Sequence, residues 1–183
     1  MNKNYNRNVK GNTKRIILIL AGIVINVVLG FLTSKLEIPF FFDTAGTILV
    51  AAVAGIFPGI VTGVFTNLLC MIFNDLSVYF AFISAFIAII TALFVRFCNI
   101  SRIRRNILLV LSLAFFSGVT STLVQWWLLG DAQFPALSEL GRSMTETFHV
   151  PLLVAVMIIN VILNIVDKGA PVLVAMLFIR LLP

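Results

Sequence analysis

Long apolar runs, separated by short polar segments, make up most of this chain. A helix needs about 20 apolar residues to cross a hydrocarbon core about 30 Å thick, so runs of this kind predict membrane-spanning helices. Six runs qualify as candidate spans: Ile16 to Leu36, Thr44 to Phe57, Gly59 to Phe73, Tyr79 to Phe97, Ile107 to Gly130, and Val150 to Leu182. We therefore predict an all-α bundle of six transmembrane helices, with residues 16–183 forming one domain after a basic tail at residues 1–15.

Some of these segments do not have the length of a simple span. The second and third are short, and Phe57-Pro58-Gly59 between them predicts a tight turn. The last would be about 50 Å long as one helix. We expect it either to begin as a helix on the outer surface or to break at Asp167-Lys168-Gly169-Ala170-Pro171. A seventh span is the alternative, but it would move Arg180 outside, against the charge pattern.

The charged residues predict how the helices are oriented. With the amino terminus inside, ten of the 13 Lys and Arg residues fall in cytoplasmic segments: Lys3, Arg7, Lys10, Lys14, Arg15, Arg96, Arg102, Arg104, Arg105 and Arg180. Six of the seven acids fall outside: Glu37, Asp43, Asp75, Asp131, Glu139 and Glu146. Because Lys and Arg beside span ends set orientation, both termini are predicted to be cytoplasmic.

Composition supports the same class of protein. Hydrophobic residues make up 61% of the chain and charged residues 11%, so a water-soluble fold is excluded. The net charge of +6 comes from residues beside span ends, which indicates lipid headgroups and not nucleic acid as the partner. Cys70 and Cys98 lie in different environments, so we expect no disulfide. The single histidine, His149, predicts no metal site. No nucleotide-binding or catalytic motif is present, so we expect neither an enzyme nor a cofactor.

Small and polar residues recur on one face of the first and third spans. Gly22, Asn26 and Gly30 are four residues apart and form a narrow stripe, which favours either packing within the chain or docking to a separate membrane subunit. In the third span, Gly59 with Gly63 and Thr62 with Thr66 favour close helix packing. Asn67 should face the bundle, because lipid would leave its amide without hydrogen bonds.

Two further sets of polar residues are candidates for function. Asp43 and Thr47 share a face at the start of the second span, where Asp43 either caps the helix or contacts a ligand. Asn160, Asn164, Asp167 and Pro171 form one face of the last segment, which predicts a polar seam between helices or a cavity wall. Lys168 follows Asp167, but adjacent helical residues point about 100° apart, so we do not predict a pair between them.

Aromatic residues lie close to the predicted outer surface. Tyr79 opens the fourth span, and Gln125-Trp126-Trp127 ends the fifth. Paired tryptophans are typical of membrane-interface anchors, and the alternative is the wall of a ligand cavity. The complete set of candidate substrate-binding residues is Asp43, Thr44, Thr47, Asn67, Tyr79, Gln125, Trp126, Asn160 and Asn164.

Two stretches, Ile38 to Leu49 and Ala54 to Asn67, resemble the substrate-binding S components of energy-coupling factor transporters. The resemblance implies a bacterial cell-membrane protein of six helices that captures a vitamin or related micronutrient. It also implies docking to a membrane coupling protein with two ATP-hydrolysing subunits. The family's alanine-rich docking motif in the first helix is matched here only by Gly22, Asn26 and Gly30. Asn26 places an amide where the family has a small residue.

Two other classes of function stay open. The first is a membrane sensor or scaffold module that binds a ligand or a partner helix without transport. The second is a membrane enzyme that uses Asp167 or Asp43. Genes for ATPases beside this one would favour the importer, whereas a fused kinase would favour the sensor.

Overall fold

The computed structural model of the protein describes residues 12–36, 42–98, 102–132 and 134–181. Those ranges contain α-helices and two short 3-10 helices, and no strand, which confirms the all-α class. In chain order the elements are α1 (Asn12–Lys35), η1 (Phe42–Thr44), α2 (Ala45–Ala54), α3 (Ile56–Cys70), η2 (Asp75–Phe80), α4 (Ala81–Phe97), α5 (Arg102–Leu129), α6 (Pro135–Phe148) and α7 (Leu152–Leu181).

Four segments of the described chain are long and apolar enough to cross a membrane: Thr13–Lys35, Asp75–Phe97, Ile103–Leu129 and Leu152–Arg180. Two shorter apolar segments, Phe42–Ala54 and Ile56–Cys70, account for the remaining predicted spans. The ten residues of α2 and the 15 of α3 correspond to about 15 and 22 Å of helix. Both are shorter than a hydrocarbon core of about 30 Å.

The break between α2 and α3 lies earlier than the sequence predicts. Gly55, with φ 98° and ψ −170°, separates the two helices, so the predicted turn at Phe57-Pro58-Gly59 is wrong. Only glycine adopts this backbone conformation readily. Pro58 instead lies in the first turn of α3, where a backbone N–H has no partner within the helix and its loss costs little.

The last segment is not broken near Pro171. It forms α7, a single helix of 30 residues with Pro171 inside it, which corresponds to about 45 Å. The surface helix is α6, which the apolar runs did not indicate. It ends at His149, whose left-handed conformation (φ 57°) turns the chain towards α7. The predicted break at Asp167-Lys168-Gly169-Ala170-Pro171 is therefore wrong.

The contacts between helices fix their directions. Gly30 lies beside Asp43 and Gly22 beside Val50, so α1 and α2 are antiparallel. Ser117 meets Asn164, and Val110 lies nearest Gly169, so α5 and α7 are antiparallel as well. The starts of α1 and α5 and the ends of α4 and α7 therefore share one end, called here the basic end, which carries Lys14, Arg15, Arg96, Arg104, Arg105 and Arg180. The opposite end, called here the α6 end, contains α6.

The apolar core lies towards the basic end. Its most buried members come from four helices, α2, α4, α5 and α7: Ile48, Ile87, Leu109, Leu113 and Val172. Large apolar side chains also cover the outside of the bundle. Val24 is 61% exposed, Phe115 65% and Val174 59%. A soluble protein rarely exposes continuous apolar surface of this kind, so the surface supports a membrane location.

Candidate functional site

Asn26 joins α1 to α2 and α3. Its Oδ1 accepts a hydrogen bond from Gly46 N–H at 2.6 Å, and its Nδ2 donates to the hydroxyls of Thr47 at 2.9 Å and Thr66 at 3.1 Å. The first N–H groups of a helix have no partner within it. Asn26 therefore caps α2 from a neighbouring helix, and Thr44 at the cap position makes no side-chain bond of this kind.

The stripe of Gly22, Asn26 and Gly30 packs inside the chain. A Cβ on Gly22 would lie 2.6 Å from Val50 Cγ2, and one on Gly30 would lie 3.2 Å from the Cβ of Asp43. Asn26 is fully buried. In the described chain, α2 and α3 occupy this face of α1, as the packing alternative expects. Docking of the stripe to a separate subunit stays a prediction.

Polar side chains also join α3 to α4. Asn67 Nδ2 donates to Ser84 Oγ at 2.8 Å and to Gly63 O at 2.9 Å. Asn67 is fully buried, which confirms that it faces the bundle. Thr62 and Thr66 donate to carbonyls one turn earlier in α3, at 2.9 and 2.8 Å. These groups hold the packed helices together.

A third hydrogen-bonded set joins α5 to α7. Ser117 Oγ donates to Asn164 Oδ1 at 2.8 Å, and Asn164 Nδ2 donates to Asn160 Oδ1 at 3.0 Å. Asn160 Nδ2 then donates to Ser121 at 3.1 Å and Thr122 at 2.9 Å. The two asparagines thus form a polar seam between helices, one of the two alternatives for this face.

Asp167 and Lys168 form an ion pair in the interior. The Lys168 Nζ donates to Asp167 Oδ2 and to Thr44 Oγ1, the latter at 2.8 Å. Both charged residues are 1% exposed. The expectation that they would not pair is wrong, because the long lysine stem bends back towards its neighbour. The pair also joins α7 to the start of α2.

A small cavity at the α6 end lies beside this charged cluster. It has a volume of about 30 Å³, enough for one or two water molecules. The residues that line it are Gly30, Thr33, Ser34, Asp43, Cys70, Phe73, Asn74, Ser77 and Phe134. Asp43 lies within electrostatic reach of both Asp167 and Lys168. The cavity therefore brings the half-buried Asp43 carboxylate next to the ion pair.

The start of α6 is held over this cavity by an acidic side chain. Asp131 Oδ1 accepts from Ala132 N–H at 2.7 Å and from Ser138 Oγ at 2.8 Å, and Oδ2 accepts from Arg142 at 2.9 Å. Burial raises the pKa of Asp131, but these hydrogen bonds lower it by more, so it stays below its usual value. They anchor the turn that contains Phe134, which closes one side of the cavity.

Few of the predicted substrate-binding residues meet at this cavity. Asp43 lines it and Thr44 accepts from Lys168, whereas Thr47, Asn67, Asn160 and Asn164 bond between helices elsewhere. Gln125 is buried away from it, Trp126 is half-buried, and Tyr79 is 45% exposed. Neighbouring Trp127 is 78% exposed, as expected of an interface anchor.

Sequence reasoning missed most of the cavity lining. The missed polar residues lie at or near the ends of apolar runs: Thr33, Ser34, Asn74 and Ser77. That position is the signal by which they could have been found. Phe134 gives no such signal, because an aromatic residue beside a proline is ordinary in a loop.

Comparison with protein-family models, curated proteins and solved structures found no match for this chain. Within the described ranges, no three His, Cys, Asp or Glu side chains come close enough together to hold a metal ion.

Proposed function

We propose that this protein is the substrate-binding membrane subunit of an ATP-driven importer. It takes a vitamin or related micronutrient at the α6 end and docks to a coupling membrane protein with two ATPases. The observation that carries this proposal is the cavity at the α6 end, lined by Asp43 and placed above a buried charged cluster. Such a combination of concave site and convergent polar groups is the usual form of a small-molecule site.

The proposed orientation follows from the charges at the two ends. Six segments enter the bilayer, and the basic end faces the cytoplasm together with both termini. Because α2 and α3 are short, their ends near Thr44 and Cys70 lie at membrane depth. The cavity between them therefore opens towards the outside, where an imported nutrient arrives.

The cargo is larger than the cavity of this conformation. Small-molecule pockets usually have a volume of roughly 300 to 1,000 Å³, whereas this cavity has about 30 Å³. Capture therefore requires the α6 end to open. Phe134, which begins the turn into α6 and contacts Leu137 and Val156, is the side chain that moves aside.

Cysteine labelling tests the orientation. In a Cys98→Ser background, Ser143→Cys on exposed α6 should react with a membrane-impermeant maleimide in intact cells. Ile103→Cys, at a position 72% exposed in the first turn of α5, should react only after permeabilisation. Cys70 is 2% exposed and serves as the unreactive background. Labelling of both introduced cysteines in intact cells would contradict the proposed topology.

Native mass spectrometry of the protein purified from rich medium tests the function. A bound small molecule is expected, and cells that also contain the coupling protein and ATPases should accumulate it. Asp43→Asn should lower its affinity at least tenfold, or about 1.4 kcal/mol, because a charged partner at the cavity is lost. Asp75→Asn is the matched control, since Asp75 is exposed at the same end but does not line the cavity. A bound molecule without ATP-dependent uptake would favour the sensor alternative.

A further inference from the structure

Oxygen-bearing side chains make up about half of the lining residues of the cavity at the α6 end. Thr33, Ser34, Asp43, Asn74 and Ser77 contribute hydroxyl, carboxylate and amide groups to its lining. These are the ligand types that hard cations take in proteins. The cavity volume of about 30 Å³ has room for a small ion or for one or two water molecules.

Two of these groups have oxygen lone pairs that are available to a cation. Thr33 Oγ1 donates its proton to Leu29 O at 3.0 Å and Gly30 O at 3.1 Å, so its lone pairs are left for another partner. Asn74 Oδ1 accepts one bond, from Leu76 N–H at 3.2 Å, and has a second lone pair. The lining therefore offers acceptors around the Asp43 carboxylate.

When Asp43 and Asp167 are both ionised, the charges next to the cavity do not balance. Asp43 and Asp167 carry two carboxylates, and within the described ranges Lys168 is the one cation that a hydrogen bond brings to them. Asp167 Oδ2 is paired with Lys168, but its Oδ1 has no hydrogen-bond partner in the described part of the chain, and the residue is 1% exposed. An uncompensated buried charge is costly, so one further positive charge would stabilise the cluster.

We propose that the cavity binds one monovalent cationic group beside Asp43. The group is either Na⁺ or K⁺ from solution or the primary ammonium of a small molecule, since both supply a single compact charge. Among the described residues, one carboxylate lines the cavity, which suits a monovalent ion better than a divalent one. The site holds whether or not the protein transports a cargo.

Thermal unfolding of the full chain, purified in detergent and freed of small molecules by dialysis, tests the site. NaCl, KCl, NH₄Cl and methylammonium chloride are titrated at constant ionic strength against N-methyl-D-glucamine chloride, whose cation is too large for the cavity. Above its dissociation constant, at least one small cation should raise Tm by a few degrees for each tenfold increase in concentration. Asp43→Asn should abolish this rise, and Asp75→Asn should keep it.

The outcomes separate the two sources and the rival explanations. A rise with Na⁺ or K⁺ identifies an inorganic ion, and a rise with only ammonium and methylammonium identifies an amine. Absence of any rise in the wild type, or an equal rise in Asp43→Asn, overturns the proposal. So does a stability that increases on acidification and ignores all four cations, because a proton then balances the cluster of Asp43, Asp167 and Lys168. If Asp43→Asn does not fold, Thr33→Val and Ser77→Ala should weaken the apparent cation affinity, and unchanged affinity in both counts against the site.

Binding to the cation site and transport are measured separately. A cation-dependent Tm without uptake would contradict the importer and leave the cation site standing. A cargo found by mass spectrometry, without any effect of cations on Tm, would contradict the cation site and leave the importer standing.

Discussion

Gly46→Ala should strongly destabilise the protein, whereas Gly169→Ala should be tolerated, although both replace a helical glycine by the best helix former. A Cβ on Gly46 would lie 2.1 Å from the carbonyl oxygen of Gly22 and 2.7 Å from its Cα, both backbone atoms of α1. A backbone cannot move aside as a flexible side chain does. Helix α1 would have to shift away from α2, and the three hydrogen bonds of Asn26 would be lost with it.

The expected cost for Gly46→Ala is about 3 kcal/mol or more, at the upper end of overpacking effects. A Cβ on Gly169 meets only Val110 Cγ1, at 3.9 Å. That substitution should be neutral or stabilise by about 0.5 to 1 kcal/mol, because alanine loses less backbone entropy in a helix. Thermal melts in detergent and the monodisperse fraction after purification measure both variants. Equal melting temperatures would show that α1 and α2 do not pack as closely as described.

The same junction shows what the sequence could predict. The spacing of Gly22, Asn26 and Gly30 predicted a flat contact face, and the structure has one. It could not predict which helix lies on that face, because small residues allow close approach by any partner. The resemblance to a transporter family favoured a separate subunit, whereas the closest contacts come from α2 and α3 of this chain.

Helix boundaries were predicted best where length alone decides them. The four long apolar runs became α1, α4 with η2, α5 and α7, because a span needs a fixed number of apolar residues. The turn was predicted at Pro58, three residues past Gly55, because proline is found both where helices end and in their first turn. Helix α6 was missed because its apolar contacts are few, with Leu137 and the small Ser138 and Gly141 as its buried residues.

For the candidate site, only the acidic member was foreseen. Asp43 stands out as an acid at the start of an apolar run, and it does line the cavity. Asn160 and Asn164 stand out equally, yet they form the seam between α5 and α7. Periodicity places these residues on a face but does not say whether the opposite face supplies hydrogen-bond partners. Phe134 joins the cavity only through the tertiary position of α6.

Asp167→Asn should reduce stability by about 3 to 5 kcal/mol, the usual cost of breaking a buried ion pair from one side. An amide is neutral and would enter a bilayer more easily than a carboxylate. Lys168, however, would then keep a buried ammonium with Thr44 Oγ1 as its remaining hydrogen-bond acceptor in the described chain. The cost arises from this unpaired charge and not from the loss of Asp167 itself.

The double variant Asp167→Asn with Lys168→Met separates these contributions. Lys168→Met alone leaves the carboxylates of Asp167 and Asp43 near each other without the intervening cation, so it should also destabilise. Removing both members of the pair leaves no unpaired charge on α7, and the double variant should recover most of the lost stability. Thermal or denaturant unfolding of the wild type, both single variants and the double variant gives the coupling energy.

The exposed pair of Asp131 and Arg142 provides the matched control. Its donor and acceptor lie 2.9 Å apart, but the side chain of Arg142 is 64% exposed, so Arg142→Met should cost no more than about 1 kcal/mol. If Asp167→Asn costs as little as this control, the buried pair contributes nothing to stability. If the loss of stability in the double variant equals the sum of the two single losses, the two residues are not coupled. A double variant that recovers stability and also loses the Asp43-dependent effect of cations on Tm is a further outcome. That result would give the pair a second role, because Asp167 would then supply negative charge to the cavity as well as hold α7 to α2.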